Sequence, residues 1–526
     1  MSTNTRSDAS ASAGLGLFVI GLACVLLPVS LAGPSVALPS IGEALKANLT
    51  SVQWVINGYD LTFAAFMLAS GSLGDRLGRR KVFRVGIAIF SAAQLVAAIA
   101  PNMLVLDLAR SVAGIGAAGV LTCGVASLAV MFEDPAGRAK AFGVFGTAVG
   151  CGLAFGPFVC GALNTQLGWR AVFYVPAAVG LIVLISSAVI KESRNPDGGR
   201  IDWAGTVIFT AALFALIFGL LQGPQLGWTS GTVLSCLAVA VVLLIAFGLV
   251  ERRVKSPMFD LSLLVQRRYA ALCLAITALV FGFTPLLVYL PVYYTSVDGM
   301  TAQDSGLLLM MLTVPTLVMP LVTGYLARWV SVRVQVLSTV VLTGAGVAWL
   351  TVIHPGAGWL LVLGPYLVIG IGIGISFGVM DGAAVSAVDP GRAGMAAGMF
   401  NTVRLGGETI GIAVVGALLA GMTGSNLTGR MGGFDTPYAD RPQDAANLVN
   451  QGDMAGVVGS VGQAGSRPAF QDLLAGAYTD ALHVTLWALA ALCAVSVVIL
   501  LVLDRSDSAV GQQASAPAAE DAVSQA

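Results

Sequence analysis

Fourteen apolar stretches, each about twenty residues or longer, divide this 526-residue chain into oily runs separated by polar breaks. A hydrocarbon layer roughly 30 Å thick takes about 20 helical residues to cross, and inside it no backbone group can be left unpaired. Each run must therefore close its own hydrogen bonds as a helix. The runs cover 14–37, 51–74, 82–101, 103–131, 139–163, 171–190, 202–222, 231–250, 270–294, 304–328, 334–353, 359–382, 394–421 and 478–503. With 57% of residues hydrophobic and 10% charged, the fold class is an all-α, multi-pass membrane protein. The net charge of zero gives no footprint for nucleic acid. Seven cysteines, an odd number without metal-ligand spacing, all fall inside apolar runs and read as small buried hydrophobes.

Where the charges sit orients the helices. Loops after even-numbered runs, together with the two ends of the chain, hold twenty of the 27 Lys and Arg; five lie in the opposite loops. Basic residues stay on the cytoplasmic side, so both termini are expected there. The segments are then a tail 1–13, a six-helix bundle 14–190, two inserted helices 202–250, a second bundle 270–503 and a tail 504–526. The segment 422–477, rich in Gly, Asp and Asn, is expected to be an outer loop with little core of its own. A weak repeat, SGSLGDRLGRR at Ser70–Arg80 and TGYLARWVSVR at Thr323–Arg333, falls where two six-helix halves would place it once the inserted pair is set aside.

Four blocks carry chemistry. The first is GSLGDRLGRRK, Gly71–Lys81, five charges between two spans. The second is LARSVAGIGAAG at Leu108–Gly119, which puts Arg110 inside a membrane helix, where an unpaired charge is costly. The third is GVFGTAVGCGLAFGPFVCG at Gly143–Gly161, a seam of small residues with Pro157. In the fourth, Ser30 precedes the triplet Ala37, Leu38, Pro39.

These blocks resemble the major facilitator superfamily, specifically its fourteen-helix drug:proton antiporter branch, over nearly the whole chain. The resemblance implies two six-helix bundles plus two inserted helices. It implies conformational gating by Gly71, Asp75, Arg76, Gly78, Arg79 and Arg80, with Arg76 or Arg79 reaching Glu133 or Asp134. It also implies an antiporter seam of Gly143, Gly152, Gly156, Pro157 and Gly161. The acid that such proteins carry in their first helix is replaced here by Ser30, so no role resting on it carries over.

Other carboxylates become the candidates for proton coupling. Asp60 follows Tyr59 about nine residues, or roughly 13 Å, into the second span. Glu408 lies one turn beyond Arg404, and Asp107 one turn before Arg110, as its expected helical partner. Asp381, near the end of the twelfth span, is expected to be solvated. A substrate pocket between the halves is expected to draw on Tyr59, Phe63, Phe66, Phe281, Phe283, Tyr289, Phe377, Asn401 and Arg404.

The expected activity is proton-driven export of small amphipathic, drug-like molecules, with the alternative of a dedicated exporter for one endogenous metabolite such as an antibiotic, siderophore or lipid. Partners are substrate, protons and lipid; no cofactor is called for, and a monomer in a bacterial plasma membrane is expected. An enzyme is disfavoured: His354 and His483 are the two histidines, and no nucleophile–base constellation accompanies them.

Overall fold

The computed structural model describes residues 2–47, 49–132, 134–194, 202–227, 229–254, 263, 265–300 and 302–514. All fourteen expected spans are helices: α1 (Ser2–Ala32), α2 (Leu49–Leu77), α3 (Arg79–Ala98), α4 (Met103–Met131), α5 (Pro135–Leu167), α6 (Ala171–Ser186) and α7 (Trp203–Leu226). Then follow α8 (Gly231–Glu251), α9 (Arg267–Ser296), α10 in two pieces (Ala302–Thr313 and Pro315–Leu326), α11 (Val332–Trp349), α12 (Trp359–Ser386), α13 (Ala393–Leu427) and α14 (Arg467–Ala514). Among the described residues, thirteen spans are long and apolar enough to cross a membrane by length and composition. The exception is α2, equally long but diluted by Asn57 and Asp60.

Helix starts follow local capping chemistry, in which a short polar side chain accepts one of the orphan N–H groups of the first turn. Asn102 accepts from Val105, Asp134 from Gly137, Asp202 from Gly205, Ser230 from Val233 and Ser331 from Val334. The break in α10 comes at Val314, where Pro315 has no N–H to continue the ladder.

Helices α1–α6 form one half and α9–α14 the other, each with its own buried core. They meet along α2 against α13, and along α5 against α10 and α12. The inserted pair α7–α8 packs on itself, with α7 laid against α2 and α13. Turns alternate between two ends of the bundle: a basic end, carrying Arg79, Arg138 and Arg333, and an opposite end.

That opposite end corrects one expectation. Residues 428–466 are a compact cap: short helices Pro442–Asn450 and Met454–Gly459 bury Met431, Ala445, Val449, Met454, Val457 and Val461 in one core with Phe470 and Leu474 of α14. Gln443 and Asn450 donate to the Ala420 and Gly416 carbonyls of α13 at 3.1 Å each. Apolar residues spaced through a glycine-rich stretch were enough to build a core once α13 and α14 supplied its floor. At the termini, α1 starts at Ser2 and α14 runs to Ala514, so the described parts of both expected tails continue the helices.

Candidate functional site

The charged segment Gly71–Lys81 is barely a loop. Helix α2 continues through Leu77 and α3 begins at Arg79, so Gly78 alone makes the turn, at φ 112°, a backbone region that a side chain would strain. Asp75 is buried and faces the second half. Its Oδ1 accepts from the Gly394 N–H at 2.9 Å and its Oδ2 from the Met395 N–H at 2.7 Å, satisfying orphan donors at the N-terminus of α13 and opposing the positive end of that helix. Arg79 closes the arrangement with Nε and Nη2 on Asp75 Oδ1 at 3.0 and 2.7 Å. A side chain on Gly71 would strike the Gly394 carbonyl, so the glycine is what lets α2 and α13 come this close.

Of the two acids expected to pair with this segment at the end of α4, one lies among the described residues. Asp134 spends its carboxylate on Gly137, at 2.7 Å, capping its own helix, and Glu133 lies outside the described residues. Arg79 takes the Asp75 carboxylate, four residues back across the Gly78 turn. Arg76 turns toward the inserted pair, within electrostatic range of Asp202, Glu251 and Asp75. Arg80 donates to the Ile190 carbonyl at 3.3 Å, and its backbone N–H donates to Glu192 at 3.1 Å. Also at the basic end, Arg138 of α5 donates to Ser386 of α12 at 3.1 Å. The basic end is thus joined across the halves.

Arg110 is fully buried in the first half. Gly114 and Gly116 let α4 sit tightly between α2 and α3, because a side chain there would strike Tyr59 O or Gly86 O. The guanidinium donates to the Val55 carbonyl at 2.7 Å and the Ser30 carbonyl at 2.8 Å, and lies 4.3 Å from the Tyr59 ring centre. Asp107 is not its partner; the Arg110 Nη1 and one Asp107 oxygen make no hydrogen bond. Ser30 is itself buried and its hydroxyl accepts from Gln94 at 2.6 Å, so a neutral pair occupies the place of the missing acid. Gln94 is a partner that sequence reasoning missed, since an isolated amide in an apolar run carries no spacing signal.

In the second half, Asp381 overturns its expected exposure. It is 1% exposed and accepts from Arg404 Nη1 at 2.9 Å and Asn401 Nδ2 at 3.1 Å, while Arg404 Nη2 also bonds Asn401. Arg404 bonds Asp381 between α12 and α13 rather than Glu408 one turn away, though Glu408 stays within electrostatic range of Arg404. Nearness to the end of α12 suggested solvent; packing of α13 over that end removed it.

Asp60 and Glu408 are partly exposed, and Glu408 acts on the charge of Asp60 across the α2–α13 interface, as Arg110 does within the first half. One Asp60 oxygen has no hydrogen-bond partner. The aromatic candidates divide. Tyr59 and Phe63 pack on each other inside the first half, and Phe283 and Tyr289 lie in the core of the second, where the Tyr289 hydroxyl donates to Ile412 O at 3.0 Å. Phe66, Phe281 and Phe377 stay partly exposed, and Phe66 touches the cores of both halves.

The seam on α5 has two faces. Gly143 leaves room for the Pro320 carbonyl of α10, as Gly150 does for Thr316, whereas Gly152 and Gly156 take α1 at Val25 and Val29; Gly161 meets Val36, and Pro157 lies inside the helix. One helix therefore sits flush against both halves.

Two bundles latched at one end, with buried charges where they meet, define a two-domain membrane carrier. The Major Facilitator Superfamily model matches residues 18–412, and the chain belongs to that family. Similar proteins include the multidrug resistance protein Stp of Mycobacterium tuberculosis, 31% identical over 79% of this chain and 76% of the relative. Others are the puromycin resistance protein pur8 of Streptomyces alboniger, 30% identical over 78% and 83%, and the drug efflux pump JefA of Mycobacterium tuberculosis, 30% over 80% and 81%. Among solved structures, the human organic anion transporter MFSD10 (TETRAN) superposes with a TM-score of 0.56 at 14% identity, covering 93% of this chain and 98% of that one.

Proposed function

We propose that this protein is a secondary exporter that uses inward proton movement to carry small amphipathic, drug-like molecules out of the cytoplasm, with both termini and the basic end cytoplasmic. The observation that carries the reading is the placement of two partly exposed carboxylates, Asp60 on α2 and Glu408 on α13, within electrostatic range of each other on helices that pack together across the interface, in a chain whose relatives are named for drug resistance and efflux. In this orientation the bonds of Asp75 and Arg138 close the cytoplasmic face. Protonation of a carboxylate at the interface removes a charge that one packing of the halves tolerates less well than the other, and so biases their rocking. Arg110 and Arg404 set the local field, and Asp107, nearer the outer end, is a third carrier on the path. Gly143 to Gly161 make the dry seam that keeps protons from leaking.

Proton-coupled efflux in membrane vesicles tests this: Asp60→Asn and Glu408→Gln each abolish substrate-induced proton movement. Full coupled transport in Asp60→Asn removes that residue from the mechanism.

A second reading, dedicated export of one endogenous metabolite, is favoured by relatives whose names tie them to single compounds, tetracenomycin C in Streptomyces glaucescens and actinorhodin in Streptomyces coelicolor. Extrusion of several unrelated dyes by the same vesicles contradicts it.

A further inference from the structure

Arg404 has two carboxylates within reach and bonds one of them. Asp381 of α12 accepts from Nη1 at 2.9 Å, and Asn401 ties the pair together, donating to Asp381 at 3.1 Å and accepting from Nη2. Glu408 stands four residues on along α13, the spacing at which two side chains share a helix face, and the arginine acts on its charge. The turn between them is bare. Gly407 carries no side chain, and among the described residues nothing lies within 4 Å of where a Gly406 side chain would begin. The two acids differ in their surroundings: Asp381 is 1% exposed, whereas Glu408 is partly exposed on a helix that packs across the interface. Part of what covers Asp381 belongs to the other half. One turn on, Val385 joins the core of the first half together with Phe142 of α5, and a side chain on Gly382 would press on that same ring. This cover exists only while the basic end is closed.

We propose that Asp381 and Asn401 are positioning residues for proton coupling: with the basic end closed they hold Arg404 off Glu408, which is free to take up a proton, and opening that end hydrates Asp381 and hands Arg404 to Glu408, expelling the proton. Charge gives the direction. A guanidinium beside a carboxylate favours its ionised form, and water reaching Asp381 screens the attraction that holds Arg404 there. The other ionisable groups around Glu408 are placed differently. Asp60 of α2 repels its charge, and Arg110 of α4 is committed to carbonyls of α1 and α2. Helix α7 carries no ionisable group from Trp203 to Leu226, and the Tyr289 hydroxyl of α9 bonds Ile412. Tyr478 and His483 of α14 and Asp444 of the cap are engaged with Tyr293, Ile353 and Arg441 toward the outer end. The purpose of the exchange rests on the transport reading above, but the protonation of Glu408 is measurable without transport.

The test uses the full chain purified in detergent and a hydrophobic carbodiimide, which modifies protonated carboxyl groups, with labelling of Glu408 followed against pH by mass spectrometry. Asp381→Asn lowers the midpoint of Glu408 labelling by about one pH unit or more, the effect of an opposite charge at close range. Asn401→Ala lowers it less, and decides the matter if Asp381→Asn does not fold. Asp75→Ala, which loosens the closed end, lowers it as well. Arg404→Gln raises it, and in that background none of the three other changes moves it further. Asp381→Glu keeps the wild-type midpoint. A merely structural role lowers the melting temperature and leaves the midpoint in place. Unchanged midpoints in folded Asp381→Asn and Asn401→Ala overturn the proposal, as does an equal shift by Asp381→Asn in the Arg404→Gln background. Should these shifts occur while Glu408→Gln retains proton-coupled efflux in vesicles, the exchange of Arg404 stands and the transport role of Glu408 falls.

Discussion

The two halves each bury an arginine in a membrane-spanning helix, and they neutralise it differently. Arg404 has a carboxylate, Asp381, at 2.9 Å. Arg110 has none; two backbone carbonyls and the face of Tyr59 take its place, and the position of the absent first-helix acid is closed by Ser30 and Gln94. The latches are equally one-sided. Asp75 of the first half caps α13 of the second, but the residue matching it in the repeat is Arg328, which stacks 3.8 Å from the Tyr325 ring centre. In return α5 is capped by its own Asp134. A repeated fold thus carries two different charge circuits, a formal ion pair in one half and a dipole-solvated cation in the other. The second keeps a cation without a matched anion, a configuration that responds to any acid nearby, Asp60 above all.

The largest test of this contrast is Asp381→Ala, which strands Arg404 as a buried charge. Loss of about 3 to 5 kcal/mol is expected, read as a lower melting temperature in detergent, whereas Asp381→Ala with Arg404→Met recovers most of it. Asp75→Ala comes next. It removes the acceptor for two N–H groups and for Arg79, worth about 2 to 3 kcal/mol to the state closed at the basic end. The buried Cys123, packed on Gly74, should then be alkylated roughly thirty- to 140-fold faster. Ser30→Asp rebuilds in the first half what Asp381 does in the second. A change of stability within about 1 kcal/mol is expected, because Arg110 and Gln94 are already placed to donate to the new carboxylate; a drop as large as that of Asp381→Ala would erase the comparison. Arg328→Ala should cost least, about 0.5 kcal/mol of cation–π contact at an exposed site, with no change in Cys123 labelling.

Much of this was legible in the residues. Run length located all fourteen helices, because lipid forces each run to be a helix, and the glycines of the Gly71–Lys81 segment marked a turn and a close approach. What misled was inference from linear proximity. Asp107 sits one turn from Arg110 and Glu408 one turn from Arg404, yet both arginines bond elsewhere, since neighbours in three dimensions offered better geometry than neighbours on the same helix. Asp381 seemed destined for water by its place near a helix end, and the segment 422–477 by its composition.

The sequence by itself determined the number of membrane crossings, their alternation and the residues able to carry charge inside them, because the cost of an unpaired backbone group or charge in hydrocarbon is settled locally. Which carboxylate meets which arginine, and at which end the halves are latched, was decided by tertiary structure alone. Those pairings depend on how α2, α5, α12 and α13 pack against one another, and an ion pair is a property of the distance between two chains of atoms rather than of either chain.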